Sequence, residues 1–335
     1  MKVLVTGASS LIGAGVAASL ARRGEKVATF QRRAVPALES DFSIEQLTGD
    51  IRDADALSEA AAGCDAIVHL AAKVGVVGTW EDYRSVNVDG TANVVAAAEE
   101  HSIERVVHVS SPSVAHGGEP IIGGLAEPPV LGRKRAWYPE SKAIAEIAAL
   151  AAGSDDLGIV AIRPHLVWGP GDTQLVGRIV ERAEAGRLAL VGGGKALVDT
   201  TYIDNAIEAL IAALDSVMPN APCSGRAYVI SNGEPRPIRE LVGGICRAAG
   251  VPFEPRTVSL RAGKTIGSIV ERVWPIVRGG DEPPLTRFVA EQLGTAHWFD
   301  PRPAHDDLGW SPRVSIDEGL ALLEQSYERS HPGSQ

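Results

Sequence analysis

Short apolar runs rich in β-branched residues alternate with alanine-rich stretches of helical periodicity, beginning at the first residues of the chain. Parallel strands need long crossover connections, so this alternation predicts a parallel sheet with helices on both faces. The fold class is therefore α/β, a doubly wound parallel sheet. The predicted strands are 2–6, 26–30, 66–70, 105–110 and 159–163, and the predicted helices are 13–23, 54–62, 87–101 and 138–152.

The sequence pattern changes after Pro164. Pro and Gly turns become frequent there, and the predicted elements between them become shorter. We therefore predict a nucleotide-binding domain over 1–163, with a returning segment at about 198–232. A smaller C-terminal lobe, built from 164–197 and 233–335, is predicted to shape the substrate site.

The amino-acid composition and net charge limit the classes of function that this chain can have. Of the 335 residues, 45% are hydrophobic and 22% are charged, and the net charge is −10. An acidic protein lacks the basic face that phosphate contacts need, so we expect a small-molecule ligand and no nucleic acid. The three cysteines have neither a disulfide pattern nor metal-ligand spacing, and we predict no metal site. The N-terminal residues do not resemble a secretion signal, and no long uncharged apolar run is present, so we expect a cytoplasmic protein.

One segment of the second half is amphipathic. Over 265–277, apolar residues recur at helical spacing, with Glu271 and Arg272 on the opposite side. This pattern is typical of a core-facing helix, but a lid over an apolar ligand or a weak membrane-surface contact produces the same pattern.

The first strand leads into a glycine-containing turn, Thr6 to Gly13, before the first helix. Glycines let backbone N–H groups approach a pyrophosphate, and the helix N-terminus favours that anion. Ser10 stands where a further glycine is expected. The turn predicts dinucleotide binding.

The second strand ends in Gln31, Arg32 and Arg33, where NAD-binding sites usually carry an acidic residue for the ribose hydroxyls. Two guanidinium groups can instead bind a 2′-phosphate, which favours NADP(H), with NAD(H) as the alternative. Asp50 follows the next hydrophobic run, where a carboxylate can accept a hydrogen bond from the adenine amino group; an ordinary loop position explains it equally well.

Tyr138 and Lys142 are four residues apart at the start of a predicted helix, so both can face one cleft. We expect the ammonium group to lower the pKa of the phenol and to assist proton transfer to a substrate oxygen. Ser111 lies upstream at the end of a predicted strand, on the sheet edge where ligands bind, and can hold the same oxygen.

These motifs together resemble the extended short-chain dehydrogenase/reductase family, whose nucleotide-binding part is a Rossmann-type sheet. The matching motifs are TGASSLIG at 6–13, GD at 49–50, HLAA at 69–72, NVDGT at 87–91, SS at 110–111, YPESK at 138–142 and RPHLVWGPGD at 163–172. The resemblance implies that Ser111, Tyr138 and Lys142 are catalytic. It also implies a homodimer.

The loop and the resemblance together define a set of expected cofactor-binding residues. These are Gly7, Ser9, Ser10, Leu11, Ile12, Gly13, Gln31, Arg32, Arg33, Asp50, Ile51, Ala71, Ala72, Lys73, Asn87, Tyr138, Lys142 and Pro164. Within the family, the Asn87 position supports the active site and the Pro164 backbone lines the nicotinamide.

The second half resembles the 3β-hydroxysteroid dehydrogenase-like branch of this family through segments 199–206, 227–234, 282–288 and 307–312. Within that branch, 71–83, 110–114 and 199–205 resemble bacterial 2-alkyl-3-oxoalkanoate reductases of long-chain olefin biosynthesis. The resemblance implies NADPH-dependent reduction of a hydrophobic ketone. The alternatives are a 3β-hydroxysteroid or sterol-4-carboxylate dehydrogenase, and a non-catalytic NADP-binding regulator.

Overall fold

The computed structural model describes residues 1–75, 77–132, 136–263, 265–267, 270, 291 and 294–330. The strands are β1 (Lys2–Thr6), β2 (Lys26–Gln31), β3 (Glu45–Thr48), β4 (Ala66–His69), β5 (Arg105–Val109), β6 (Ile121–Gly124), β7 (Gly158–Pro164), β8 (Val167–Trp168), β9 (Ala189–Val191), β10 (Leu197–Val198), β11 (Thr201–Tyr202), β12 (Ala227–Ile230), β13 (Arg236–Pro237), β14 (Arg256–Val258) and β15 (His297–Phe299).

The α-helices that the described residues define are α1 (Leu11–Arg22), α2 (Pro36–Phe42), α3 (Ala54–Ala61), α4 (Trp80–Tyr83), α5 (Gly90–Glu100), α6 (Trp137–Ala151), α7 (Val176–Glu184), α8 (Ile203–Ser216), α9 (Ile238–Ala248), α10 (Arg302–Leu308) and α11 (Ile316–Ser330). A π-helical turn, Arg84–Asp89, leads directly into α5, and a 3₁₀ turn, Pro112–Val114, follows β5.

Seven parallel strands form the central sheet, in the order β12-β7-β5-β4-β1-β2-β3. The strand order reverses at β1, because β2 and β3 lie on one side of it and β4 and β5 lie on the other. Loops diverge at such a switch point and leave a crevice beyond the carboxyl ends of the strands. The predicted Rossmann-type doubly wound sheet is confirmed.

Helices cover both faces of this sheet, which explains why its inner strands are largely apolar, whereas the edge strand β3 is mostly polar. Val3 and Val5 of β1 belong to a buried cluster that includes α1 and α8. Leu4 between them belongs to a second buried cluster that includes α3, α5 and part of α6. Successive side chains of a strand point to opposite faces, so one apolar run supplies both cores.

A second sheet has the strand order β13-β10-β15-β6. Its edge strand β6 comes from within the range 1–163 but pairs with β15 from the last part of the chain. Conversely, β12 lies late in the sequence and pairs with β7 at the edge of the central sheet. Segments from each half of the chain therefore contribute strands to both sheets.

Two predicted helices differ from the structure or lie outside its described part. The helix predicted over 87–101 begins as α5 at Gly90, because the preceding residues form the π-helical turn. The helix predicted over 265–277 falls largely outside the described residues. No described helix combines the length and the apolar character that crossing a bilayer requires. Cys64, Cys223 and Cys246 are buried and free.

Candidate active site

The turn after β1 is tightly packed against the end of β4. Gly7 has φ +74°, and a Cβ there would lie 2.7 Å from the backbone nitrogen of Ala71. A Cβ on Gly13 would lie 2.5 Å from the carbonyl oxygen of Gly7. Both positions therefore require glycine, which keeps the start of α1 close to the strand edge and its first N–H groups available for an anion.

Ser10 occupies the position of the turn where a further glycine is expected, but its backbone conformation does not require glycine. Its φ of −81° is ordinary for any residue, and it is the N-cap of α1. Its hydroxyl accepts from the N–H of Gly13 (3.1 Å) and donates to the carbonyl of Gly7 (2.9 Å). The serine that stands in place of glycine therefore serves as the N-cap of α1.

A cavity of about 500 Å³ opens beyond the carboxyl ends of β1 to β4. The expected cofactor residues that line it are Gly7, Ser9, Ser10, Gln31, Arg32, Asp50, Ile51, Ala71, Ala72 and Lys73. The other lining residues lie outside the expected cofactor-binding set; they are Phe30, Gly49, Arg52, Leu70, Val74, Asp82 and Val86. Leu11, Ile12, Gly13, Arg33, Asn87, Tyr138, Lys142 and Pro164 are not among the lining residues.

The cationic side chains around this cavity differ from the expected pair. Both arginines are exposed, but Arg32 lines the cavity and Arg33 does not. Arg52 is a further lining cation and binds Asp50 with a 2.7 Å ion pair. Hydrogen bonds from Arg52 lower the pKa of Asp50, and the charge of Arg32 lowers it further. Arg52 could have been suspected from its position just after the next strand in the sheet order.

Gln31 completes the end of β2. Its side chain is buried, and its amide nitrogen donates to Oε1 of Gln46 at 3.3 Å. Its own Oε1 has no hydrogen-bond partner among the described residues. A buried amide oxygen without a donor is costly, which fits a position facing a polar ligand such as the adenosine ribose.

Ser111 and Tyr138 meet although 27 positions separate them. Ser111 is the residue before the 3₁₀ turn that follows β5, and its hydroxyl is near enough to the phenol of Tyr138, at the start of α6, to affect the pKa of that phenol. Burial raises the pKa of Tyr138, and the Ser111 hydroxyl only partly opposes that effect. The expected lowering by Lys142 is therefore wrong for this structure. The phenol stays protonated at neutral pH, which is the state that a proton donor needs.

Lys142 lies one turn further along α6 and is 2% exposed. Its Nζ donates to the carbonyl oxygen of Val109, at the end of β5, over 2.7 Å. Burial lowers the pKa of Lys142 to about 8, against an opposing effect of the Glu146 carboxylate. The ammonium group is thus held at the sheet edge, and two of its three donors make no hydrogen bond to the described residues.

Asn87 connects the cavity wall to the helix of Tyr138. Its side-chain nitrogen donates to the carbonyl of Lys73 (3.0 Å) and to Oγ of Ser141 (2.9 Å), and its oxygen accepts from the N–H of Lys73 (2.7 Å). Ser141 in turn donates to the carbonyl of Tyr138 at 2.9 Å. Asn87 lies in the π-helical turn, a geometry that is frequent at functional sites.

Two further predicted or overlooked residues complete the site. Pro164 ends β7, at the same edge of the sheet, and pairs with Ile230. Ser113, which the sequence analysis did not select, places its Oγ 2.9 Å from Oγ of Ser111. Its sequence signal is weak, a second serine two residues beyond the first. In the described part of the chain, no group of three or more His, Cys, Asp or Glu side chains could hold a metal ion.

Comparison with known proteins identifies the family of this chain. A sequence model of the 3-beta hydroxysteroid dehydrogenase/isomerase family matches residues 4–261. The chain belongs to this family. The prediction of a member of the 3β-hydroxysteroid dehydrogenase-like branch is confirmed, and so is the prediction of an oxidoreductase.

Relatives in this family match nearly the whole chain. A 2-alkyl-3-oxoalkanoate reductase of Stenotrophomonas maltophilia is 47% identical over 97% of this chain and 99% of its own length. A 2-alkyl-3-oxoalkanoate reductase of Shewanella oneidensis is 38% identical over 96% and 85%, respectively. Among solved structures, MoeE5 in complex with UDP-glucose and NAD superimposes with a TM-score of 0.75 at 25% identity, over 98% of this chain and 99% of MoeE5.

The residues of the cavity fit a nicotinamide dinucleotide. The two glycine positions let the turn pack closely against neighbouring backbone, where any Cβ would clash, and this packing keeps the first N–H groups of α1 available to a pyrophosphate. Gln31 and Arg32 offer polar groups to a ribose and its phosphate, and Asn87 joins the cavity wall to the helix that carries Tyr138 and Lys142.

Proposed function

We propose that this chain is an NADPH-dependent reductase that converts 2-alkyl-3-oxoalkanoates into 2-alkyl-3-hydroxyalkanoates in olefin biosynthesis. The observation that carries the proposal is that the Ser111 hydroxyl is close enough to the phenol of Tyr138 to lower its pKa, one helical turn from the buried ammonium of Lys142. Two neutral O–H groups that meet at one point can together bind a single ketone oxygen. The full-length similarity to 2-alkyl-3-oxoalkanoate reductases supports this choice of ketone.

The three side chains divide the work at the ketone oxygen. When bound, NADPH supplies the hydride that reduces the 3-oxo carbon. Tyr138 donates its proton to the developing alkoxide, and Ser111 donates a hydrogen bond to the same oxygen. Lys142 binds the nicotinamide ribose, and its ammonium group offsets part of the negative charge that the phenol oxygen gains as it gives up its proton. Preplaced donors of this kind stabilise the transition state, and each contributes about 2–4 kcal/mol.

The preference for NADPH rests on charge at the end of β2. Arg32 lines the cavity, and no carboxylate occupies the position after β2 that would repel a 2′-phosphate. Arg52 adds a second guanidinium to the cavity lining, although Asp50 neutralises part of its charge. A guanidinium matches a phosphate in geometry and charge, so we expect NADPH to bind more tightly than NADH.

The test compares two substrate classes with the purified protein. Oxidation of NADPH is followed at its absorbance band with a 2-alkyl-3-oxoalkanoate and, separately, with a 3-ketosteroid. Because β-keto acids lose CO₂ spontaneously, the reverse reaction is measured in parallel with a 2-alkyl-3-hydroxyalkanoate and NADP⁺. Faster turnover of the alkanoate supports the proposal, and turnover of the steroid alone overturns it.

The second candidate is a 3β-hydroxysteroid dehydrogenase, because the description of the matched family names that activity. The same chemistry at Ser111 and Tyr138 would then oxidise a rigid sterol alcohol. A steroid has no carboxylate next to its ketone, so the two substrates differ in one charged group as well as in shape.

A further inference from the structure

Two serine hydroxyls lie side by side on the turn after β5. Oγ of Ser113 is 2.9 Å from Oγ of Ser111, and the backbone N–H of Ser113 donates to the Ser111 hydroxyl at 3.3 Å. Pro112 between them opens the 3₁₀ turn, and this turn places both hydroxyls on one side. Ser113 is 9% exposed, so it is nearly buried beside Ser111 and does not belong to the open surface.

The substrate of the proposed function carries two oxygen-bearing groups in a 1,3 relationship, the 3-oxo group and the carboxylate. When both point the same way, their nearest oxygens lie about 3 Å apart, which is one hydrogen-bond length. The spacing of the two serine hydroxyls is 2.9 Å. A pair of donors at this spacing therefore matches a β-keto acid, while a simple ketone needs only one of them.

We propose that Ser113 is a specificity-determining residue that binds the substrate carboxylate while Ser111 and Tyr138 bind the 3-oxo oxygen. The inference rests on the proposed function, since it presupposes a β-keto acid.

The hydrogen bonds of the two serines can be rearranged at little cost when substrate binds. Each serine has one proton to donate, and one of these protons now joins the two hydroxyls. When substrate binds, the Ser111 hydroxyl donates to the 3-oxo oxygen and the Ser113 hydroxyl donates to the carboxylate. The backbone N–H of Ser113 still donates to the Ser111 hydroxyl. Neither serine is then left with a buried group lacking a partner.

Separate binding of the two groups also protects the substrate. A β-keto acid loses CO₂ when its protonated carboxyl group passes the proton to its own ketone oxygen, as the bond between the carboxyl carbon and C2 breaks to leave an enol. A carboxylate that accepts from Ser113 is kept ionised and has no proton to pass to the ketone. Ser113 thus favours reduction over loss of the carboxyl group.

A purely structural role for Ser113, in which it only orients Ser111, makes a different prediction. Loss of orientation would slow every substrate to the same extent, because each of them needs Ser111 at the ketone oxygen. Loss of a carboxylate contact would weaken only the acid. The two roles are separated by substrates that differ in the carboxylate alone.

The experiment uses Ser113→Ala, the hydroxyl-retaining control Ser113→Thr, and Ser111→Ala. Each is assayed with NADP⁺ and a 2-alkyl-3-hydroxyalkanoate, and with the secondary alcohol of the same chains without the carboxyl group. The dissociation constants of both compounds are also measured, from the quenching of tryptophan fluorescence. They allow the two compounds to be compared even where the alcohol is turned over slowly. The dissociation constant of NADP⁺ establishes that each variant is folded.

For Ser113→Ala we expect KM and Kd of the acid to rise about 10- to 100-fold, the effect of losing one hydrogen bond to a charged group, with little change for the alcohol. Ser113→Thr should stay near the wild type, and Ser111→Ala should lower kcat for both compounds. Equal losses on both compounds in Ser113→Ala, or no loss on either, overturn the inference. A wild type that does not act on the acid overturns the proposed function itself, and the inference with it.

Discussion

Arg163 on β7 donates from Nε to Glu146 on α6 over 2.9 Å, and both side chains are completely buried. A second guanidinium nitrogen donates to the other carboxylate oxygen, and a third donates to the backbone carbonyl of Glu127 at 2.8 Å. Glu146 follows Lys142 by one helical turn, and its charge supports the protonated form of that lysine. This ion pair therefore ties the helix of Tyr138 and Lys142 to the central sheet.

Glu146→Gln removes the charge that compensates a buried guanidinium. An unpaired buried charge is expensive, so we expect the free energy of unfolding to fall by about 3–5 kcal/mol. Urea unfolding followed by circular dichroism measures this loss.

The matched control for Glu146→Gln is Asp215→Asn, which breaks the half-exposed pair between Arg23 and Asp215. That change should cost about 1 kcal/mol or less. Pairing Glu146→Gln with Arg163→Met should recover part of the stability, since no uncompensated charge then remains. Equal losses for the buried and exposed pairs would contradict the argument.

Lys142 should make stability depend on pH. Burial lowers its pKa from 10.5 to about 8 in the folded protein, while the unfolded chain keeps the ordinary value. Below pH 8 the folded state bears the full cost of the buried charge. Between about pH 8 and 10.5 the unfolded state binds more protons, so this contribution to stability rises with pH, by up to about 3 kcal/mol. Urea unfolding of wild type and Lys142→Met across this window should give diverging stabilities, and parallel curves would refute the assignment.

Tyr138→Phe removes the proton donor and leaves the ring in place. We expect kcat to fall by about two to four orders of magnitude, the usual contribution of a positioned general acid. The dissociation constant of NADPH, measured by its fluorescence, should be unchanged because the phenol acts at the substrate. A variant that keeps most of its activity would show that another group supplies the proton.

Arg32 and Arg33 are neighbours with different surroundings, so each is the control for the other. Arg32 lines the cavity, and Arg33 is exposed outside it. We expect Arg32→Ala to weaken NADPH binding about 10- to 100-fold and NADH binding much less, as for the loss of a charge-assisted hydrogen bond. Arg33→Ala should have little effect on either. The dissociation constants of NADPH and NADH are measured for each variant. Equal effects of the two substitutions would instead support the prediction from sequence, in which both arginines bind the 2′-phosphate.

Much of the site was predictable because the underlying signals are local. Gly7 reflects a backbone conformation that the strand-to-helix turn imposes, and the four-residue interval from Tyr138 to Lys142 is a property of any α-helix. The fold class follows from the alternation of apolar runs and helical stretches. The family resemblance added Asn87 and Pro164, which lie at the expected edge of the sheet.

Other features depend on contacts between distant parts of the chain, which no local pattern records. The second sheet pairs β6 with β15, and the lining role of Arg52 depends on how the loop after β3 folds back over the cavity. Ser113 gained significance only from its distance to Ser111 and its burial.

The sequence by itself determined the doubly wound sheet, and it supplied the candidate nucleotide turn and the candidate reacting side chains, because backbone geometry and periodicity are short-range properties. Only the tertiary structure decided their protonation. Desolvation depends on every group packed around a side chain, and it raises the pKa of Tyr138, contrary to the lowering expected from Lys142 alone, and lowers that of Lys142. The helix places the two side chains on one face, and the packed core decides which of them holds its proton at a given pH.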